Sequence, residues 1–195
     1  MMTKKNKLWL IAVYCIVGVL LISVIACSIA NMSYRPQIED PLIINIQDGS
    51  YGKYITGSKE NNQEVYDEIL EKFNKSFNES VLSSVFSGRS GFESIVSEYG
   101  KTNPNTNFTG FRVTLEYNVN DPKTIMLDGK PYNPPTNTSK IIKYTKIIFD
   151  VNETAGMTRH YIYYVSYDEA TSKNIYYQQS VMCDFSDLYA LLLTY

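Results

Sequence analysis

Phe111-Arg112-Val113-Thr114-Leu115-Glu116-Tyr117-Asn118-Val119 alternates apolar and polar side chains without a break. Successive side chains of a strand point to opposite faces, so this stretch predicts a strand with one buried and one wet face. The same alternation continues toward the C-terminus. Residues 140–151, 157–167 and 174–183 predict three more long strands, and the polar connections 152–156 and 168–173 are short. Short connections make neighbours antiparallel. Ile125-Met126-Leu127, Asp128-Gly129 and Lys130 predict a small hairpin with a primed turn. Residues 185–193 close the chain as a short helix or a last strand.

Upstream of residue 111 the period is helical. Residues 61–77 place Val65, Ile69, Leu70, Phe73 and Phe77 on one face. Asn61 with Glu64 fits an N-cap and its capping-box partner, and Glu68/Lys72 and Glu71/Lys75 stand at i,i+4 on the wet side. Residues 80–86 predict a second short helix closed by Gly88. Ser90 with Glu93 opens a third, with Phe92, Ile95, Val96 and Tyr99 inward and Gly100 as its stop. Helices first and strands after define an α+β fold, with N-terminal helices packed on a four- to five-stranded antiparallel meander.

The order of elements over residues 60–185 resembles the cystatin-like and NTF2-like group, in which a curved sheet wraps a long helix. Within that group, the outer domain of VirB8-like secretion and conjugation proteins also follows a single N-terminal membrane helix. Their Asn-Pro-x-Gly signature has a partial counterpart in Asn133-Pro134-Pro135-Thr136, which lacks the glycine.

The N-terminus is of another kind. Lys4, Lys5 and Lys7 precede residues 8–30, an apolar run with no charge, long enough to cross a hydrocarbon core as a helix. Trp9 at one end, and Tyr34 with Arg35 at the other, are residues that favour the membrane interface. The lysine excess on the N-terminal side keeps that side cytoplasmic. Val24-Ile25-Ala26-Cys27 resembles the lipobox of bacterial lipoproteins. That resemblance implies cleavage and diacylation at Cys27, and two acyl chains anchor stably. A retained transmembrane helix and a lipoprotein signal therefore both remain open. The organisation expected is a basic cytoplasmic stub over 1–7, an anchor or signal over 8–30, a stalk over 31–59 and an extracytoplasmic α+β domain over 60–195. The stalk reading rests on Pro36, Pro41, Gly49, Gly52 and Gly57 among polar residues, with residues 42–46 able to add one edge strand.

Charge narrows the function classes. The chain has 18 basic and 20 acidic residues, and Lys4, Lys5, Lys7 and Arg35 are its only charges up to position 35. Beyond that position, 14 basic face 20 acidic residues, a net charge of −6. Nucleic-acid binding needs a basic footprint, so no nucleic-acid partner is expected. Cys183 is the one cysteine after residue 35, which excludes a disulfide within the domain. Tyr, Asn, Ile and Lys abundance fits AT-rich codons and, with the lipobox-like run, a bacterial cell membrane.

Chemistry-bearing motifs are sparse. His160 is the only histidine, and no Gly-x-Ser-x-Gly elbow supplies a nucleophile for it. Ser87-Gly88-Arg89-Ser90-Gly91 reads as a helix stop followed by an N-cap. Asn103, Asn105 and Asn107 mimic the start of a calcium loop but lack its glycine and terminal acid. No catalytic residue, metal ligand set or cofactor motif is assigned. Tyrosines remain: Tyr161, Tyr163 and Tyr167 share one strand face with Val165, and Tyr144, Tyr176 and Tyr177 lie on neighbouring strands. Such a face suits a peptide, a glycan or a partner protein. The reading is a membrane-tethered binding or assembly domain without catalysis. The alternatives are an accessory subunit of a secretion or conjugation machine, and an enzyme using His160 or carboxylates in an NTF2-like cone.

Overall fold

A computed structural model describes residues 4–33, 38–76, 97–99, 108–127, 130–131, 141–154, 156, 158–169 and 172–195. The segments expected as a second helix (80–86) and as the opening of a third (90–96) lie outside the described residues. So do Asn133-Pro134-Pro135-Thr136, the Asn103/Asn105/Asn107 series and the stretch from Ser87 to Gly91.

Helix α1, Lys4–Ser33, is 30 residues long. At 1.5 Å per residue it spans about 45 Å, the thickness of a bilayer with its headgroups. Its apolar window Trp9–Ala26 is long and apolar enough to cross a membrane, and none of it is buried against the rest of the chain.

The remaining chain is α+β. Strands β1 (Ile43–Asp48), β2 (Tyr54–Ser58), β3 (Ser97–Tyr99), β4 (Phe111–Glu116), β9 (Lys146–Val151), β10 (Thr158–Asp168) and β11 (Lys173–Cys183) form one sheet. Its order is β2-β1-β4-β9-β10-β11-β3, antiparallel throughout. Two small ladders are separate from it: β5 (Lys123–Thr124) with β8 (Lys143–Tyr144), and β6 (Met126–Leu127) with β7 (Lys130–Pro131). The second is the expected hairpin around residues 128–129.

One face of the sheet is the core. Ile44, Ile46, Val113, Leu115, Ile147, Phe149, Val151, Ile162, Tyr164, Val181 and Cys183 alternate inward and are nearly without solvent exposure. Helix α2, Gln63–Ser76, buries Tyr66, Ile69 and Phe73 against them. Gly57 lets α2 approach, since a Cβ there would stand 3.1 Å from the Tyr66 backbone nitrogen. Helix α3, Ser186–Leu192, adds Leu188 and Leu192, and the preceding Phe185 joins Phe73 and Phe149 in an aromatic trio with centroids 4.4–6.0 Å apart.

Four expectations need correction. Among the described residues the sheet has seven strands, against the four or five expected. Much of the stalk 31–59 is sheet: β1 lies inside, between β2 and β4, with Ile44 and Ile46 buried. Its glycines and polar residues make the β1–β2 turn, where Asp48 Oδ1 accepts from the Ser50 and Tyr51 amides and Gly52 takes φ +64°. Residues 97–99 form strand β3 at the sheet edge, not the end of a third helix. The strand expected over 140–151 breaks at Thr145. Its amide bonds the Val165 carbonyl, and its carbonyl accepts from Tyr117, leaving β8 to pair with β5.

The cap and charges of α2 also differ from the capping-box pattern. The helix starts after Asn62, whose φ is +55° and whose carbonyl accepts from the Tyr66 amide. Asn61 instead closes a turn with Ser58. Lys72 and Lys75 reach Asp187 on α3 at 3.9 and 3.3 Å, and Glu68 accepts from the Tyr195 hydroxyl at 2.6 Å. The polar side of α2 therefore holds the C-terminus in place.

Candidate functional site

The face of the sheet opposite α2 and α3 is the candidate site. Its character follows from strand parity. Odd-numbered residues of β10 point away from the core, so Tyr161, Tyr163, Val165 and Tyr167 line that face together. Tyr161 and Tyr167 are 45% and 55% exposed and Tyr163 is half-buried. Tyr176 of β11 stands directly opposite Val165, and both are buried.

Apart from Ile43, Ile148 and Phe108, the described remainder of the face is mostly polar, and several of its side chains pair with one another. Arg112 clasps Asp150 across β4 and β9, with Nε–Oδ1 at 2.7 Å and Nη2–Oδ2 at 2.9 Å. The Arg112 guanidinium also lies 4.3 Å from the Phe108 ring centroid. Lys146 reaches Glu116 at 2.9 Å, and Thr56 donates to Asn45 at 2.9 Å. Charges neutralised in this way leave little net field, so the tyrosine side of the face carries its binding character. Phenol rings offer an apolar surface with a polar tip, at small entropic cost.

The structure divides the six tyrosines singled out in the sequence. Tyr161, Tyr163, Tyr167 and Tyr176 share the outer face. Tyr144 does not: it is 1% exposed, edge-on to Tyr117 at 5.4 Å and to Tyr164 at 5.0 Å. Tyr177 faces the core side, opposite Tyr164. Burial pushes the hydroxyls of Tyr117, Tyr144 and Tyr164 well above the usual phenol range. They stay protonated, and Tyr164 donates to the buried Gln179 at 2.6 Å. Parity separates Tyr176 from Tyr177 in the sequence itself, because consecutive residues of a strand cannot share a face.

His160 lies on the core side, with its Nε2 2.7 Å from Thr158 Oγ1 and its ring against Phe185 at 4.6 Å. The nearby Asp184 carboxylate accepts from the Ser186 amide at 2.9 Å and from the Ser186 hydroxyl, which opens α3. Serine and aspartate are thus bonded to each other and not relayed through the histidine. Burial lowers the His160 pKa from 6.5, and Asp184 opposes this only in part. The unfolded chain therefore takes up a proton that the folded one resists, so stability falls as pH drops below 6.5. Melting is expected to occur at lower temperature at about pH 5 than at about pH 7.5, and His160→Gln to flatten that difference. An unchanged slope in the variant would assign the pH dependence to other groups.

Among the described residues, no group of three or more His, Cys, Asp or Glu side chains is arranged to hold a metal ion. Cys27 falls within α1. Comparison of the chain with family models, with curated proteins and with solved structures gives no match.

Proposed function

We propose that this is a bacterial, membrane-anchored domain on the extracytoplasmic side that binds a protein partner through its outer sheet face without catalysis. The observation that carries the reading is the exposed pair Tyr161 and Tyr167, with Tyr163 between them, on a sheet face opposite the one that α2 and α3 cover. Tyrosine and arginine are enriched where proteins meet, and paired charges around them favour a defined register over loose adhesion. At about 4.8 Å between strands and about 3.3 Å per residue the whole face measures on the order of 600 Å², of which the part around Val165 and Tyr176 is already buried, so a partner would meet the Tyr161 and Tyr167 ends of it. The apolar α1 and the lysines in its first turns support a cytoplasmic N-terminus and a domain outside. Lipidation at Cys27 is the competing anchor, and the intact mass of membrane-extracted protein separates the two.

The test is a photoreactive side chain at position 161 in cells, with adducts resolved by mass. A discrete adduct with one envelope protein is expected, and Tyr163→Ala with Tyr167→Ala should abolish it in a chain that still melts cooperatively. Adducts with polysaccharide alone, or a protein adduct indifferent to both substitutions, would overturn the reading.

A further inference from the structure

The chain between anchor and domain is shorter than the stalk reading implies. Glu39 is pinned by its carbonyl, which accepts from the Tyr117 hydroxyl at 3.0 Å, and by its carboxylate, 3.0 Å from Lys123. Pro41 accepts from the Tyr66 hydroxyl at 2.7 Å, Asp40 pairs with Lys59 at 2.8 Å, and Ile38 already packs on the core. Only residues 34–37 lie between the last residue of α1 and that pinned segment. Five residue steps reach at most about 18 Å when fully extended. A domain joined this closely to a spanning helix has its attachment end at the membrane surface.

Among its charged side chains, that end also presents three exposed apolar ones. Leu42, Val119 and Ile141 are 56%, 75% and 47% exposed. Backbone bonds bring their segments together. The Leu42 amide donates to the Glu116 carbonyl, the Tyr117 amide to the Thr145 carbonyl and the Ile125 amide to the Ile142 carbonyl. Val119 sits in the turn closed by the Asp121 amide on the Asn118 carbonyl. The charges alongside carry a small negative excess, with Lys123 between Glu39 and Asp121 at 3.0 Å each. The rim therefore needs no anionic lipid. The β1–β2 turn with Tyr51, 87% exposed, lies at the other end of β1, about 20 Å away at 3.3 Å per residue.

We propose that Leu42, Val119 and Ile141 form a contact rim that rests in the lipid headgroup layer of the same bilayer that α1 crosses. The inference builds on the anchored reading of α1. Contact at this end fixes the tilt of the domain and holds the sheet upright, its outer face along the membrane normal and the Tyr51 turn farthest out.

The full chain, with Cys15 and Cys27 replaced by serine, is reconstituted in phosphatidylcholine vesicles with a polarity-sensitive fluorophore on Val119→Cys or on Tyr51→Cys. Cys183 is fully buried and stays unlabelled. The probe at 119 is expected to shift to the blue and lose most of its emission when the lipid carries bromine high on the acyl chain. The probe at 51 should behave as in water. Water-like emission at both positions overturns the rim contact. A blue shift at 119 without quenching by brominated lipid overturns it in favour of a protein neighbour at that end. Vesicle flotation of the same samples reports on α1 separately. A chain that does not float refutes the anchor, whereas one that floats with an unquenched probe at 119 refutes only the rim.

Discussion

Phe73→Ala is expected to lower the unfolding free energy by about 3–5 kcal/mol, the range for deleting a large buried aromatic side chain. Phe73 is 1% exposed and meets both partners of the aromatic trio, Phe149 on the central strand β9 and Phe185 at the start of α3. Truncation opens a cavity at the one point where α2, the sheet and the C-terminal helix converge. Neighbouring rings cannot fill it without leaving each other. Urea titration of the full chain in detergent, followed by far-ultraviolet circular dichroism, measures the loss, because α1 in its micelle contributes a constant background. Glu71→Ala on the exposed side of the same helix is the control, expected within about 0.5 kcal/mol of the parent. Equal midpoints for the two variants would mean that α2 does not pack on the sheet.

How much of this fold the sequence discloses depends on the range over which each feature is determined. The helix at 63–76 and the strands at 158–168 and 173–183 are local patterns, long and regular enough to be read within a residue or two. Strand β1 was legible as an edge strand through Ile44 and Ile46. Its interior place was not, because pairing Ile43 with Glu116 joins residues more than 70 positions apart. Strand β3 has three residues and is made a strand only by β11 beside it. The break at Thr145 is set by bonds to Tyr117 and Val165, which residues 140–151 alone do not announce.

The candidate face divides on the same lines. Tyr161, Tyr163 and Tyr167 share a face by parity, which needs no knowledge of the fold. Tyr144 looked equivalent to them because it also lies in a strand. Only the turn of β8 toward β5 carries it into the core beside Tyr117 and Tyr164. The bonds that pin residues 39–41 were likewise unreadable, since their donors, Tyr66 and Tyr117, are distant in sequence. Those bonds turn an expected stalk into a short tether.

Gly110→Ala is expected to be the most damaging of the small substitutions, and two other glycines make the reason separable. Gly52, Gly110 and Gly156 all have positive φ, at +64°, +81° and +79°. An alanine at any of them pays the left-handed backbone cost of about 1–2 kcal/mol. At Gly52 and Gly156 nothing lies within 4 Å of the added Cβ, so the cost ends there. At Gly110 the same atom would stand 2.4 Å from the Val151 carbonyl oxygen and 3.1 Å from Asn152 Oδ1. Backbone cannot yield as a flexible side chain does, because the Gly110 carbonyl also receives the Gly49 amide at 2.8 Å and Phe111 pairs with Val151 in the next register step. Relieving the clash therefore frays the β4–β9 ladder from its Phe111–Val151 end. Gly110→Ala should lose at least twice the stability lost by Gly52→Ala or Gly156→Ala in the same urea titration. It should also expose the amides of residues 111–113 to hydrogen exchange, which the other two variants leave protected. Equal losses at the three positions would show that backbone conformation alone sets the cost and that the β4–β9 junction tolerates the methyl group.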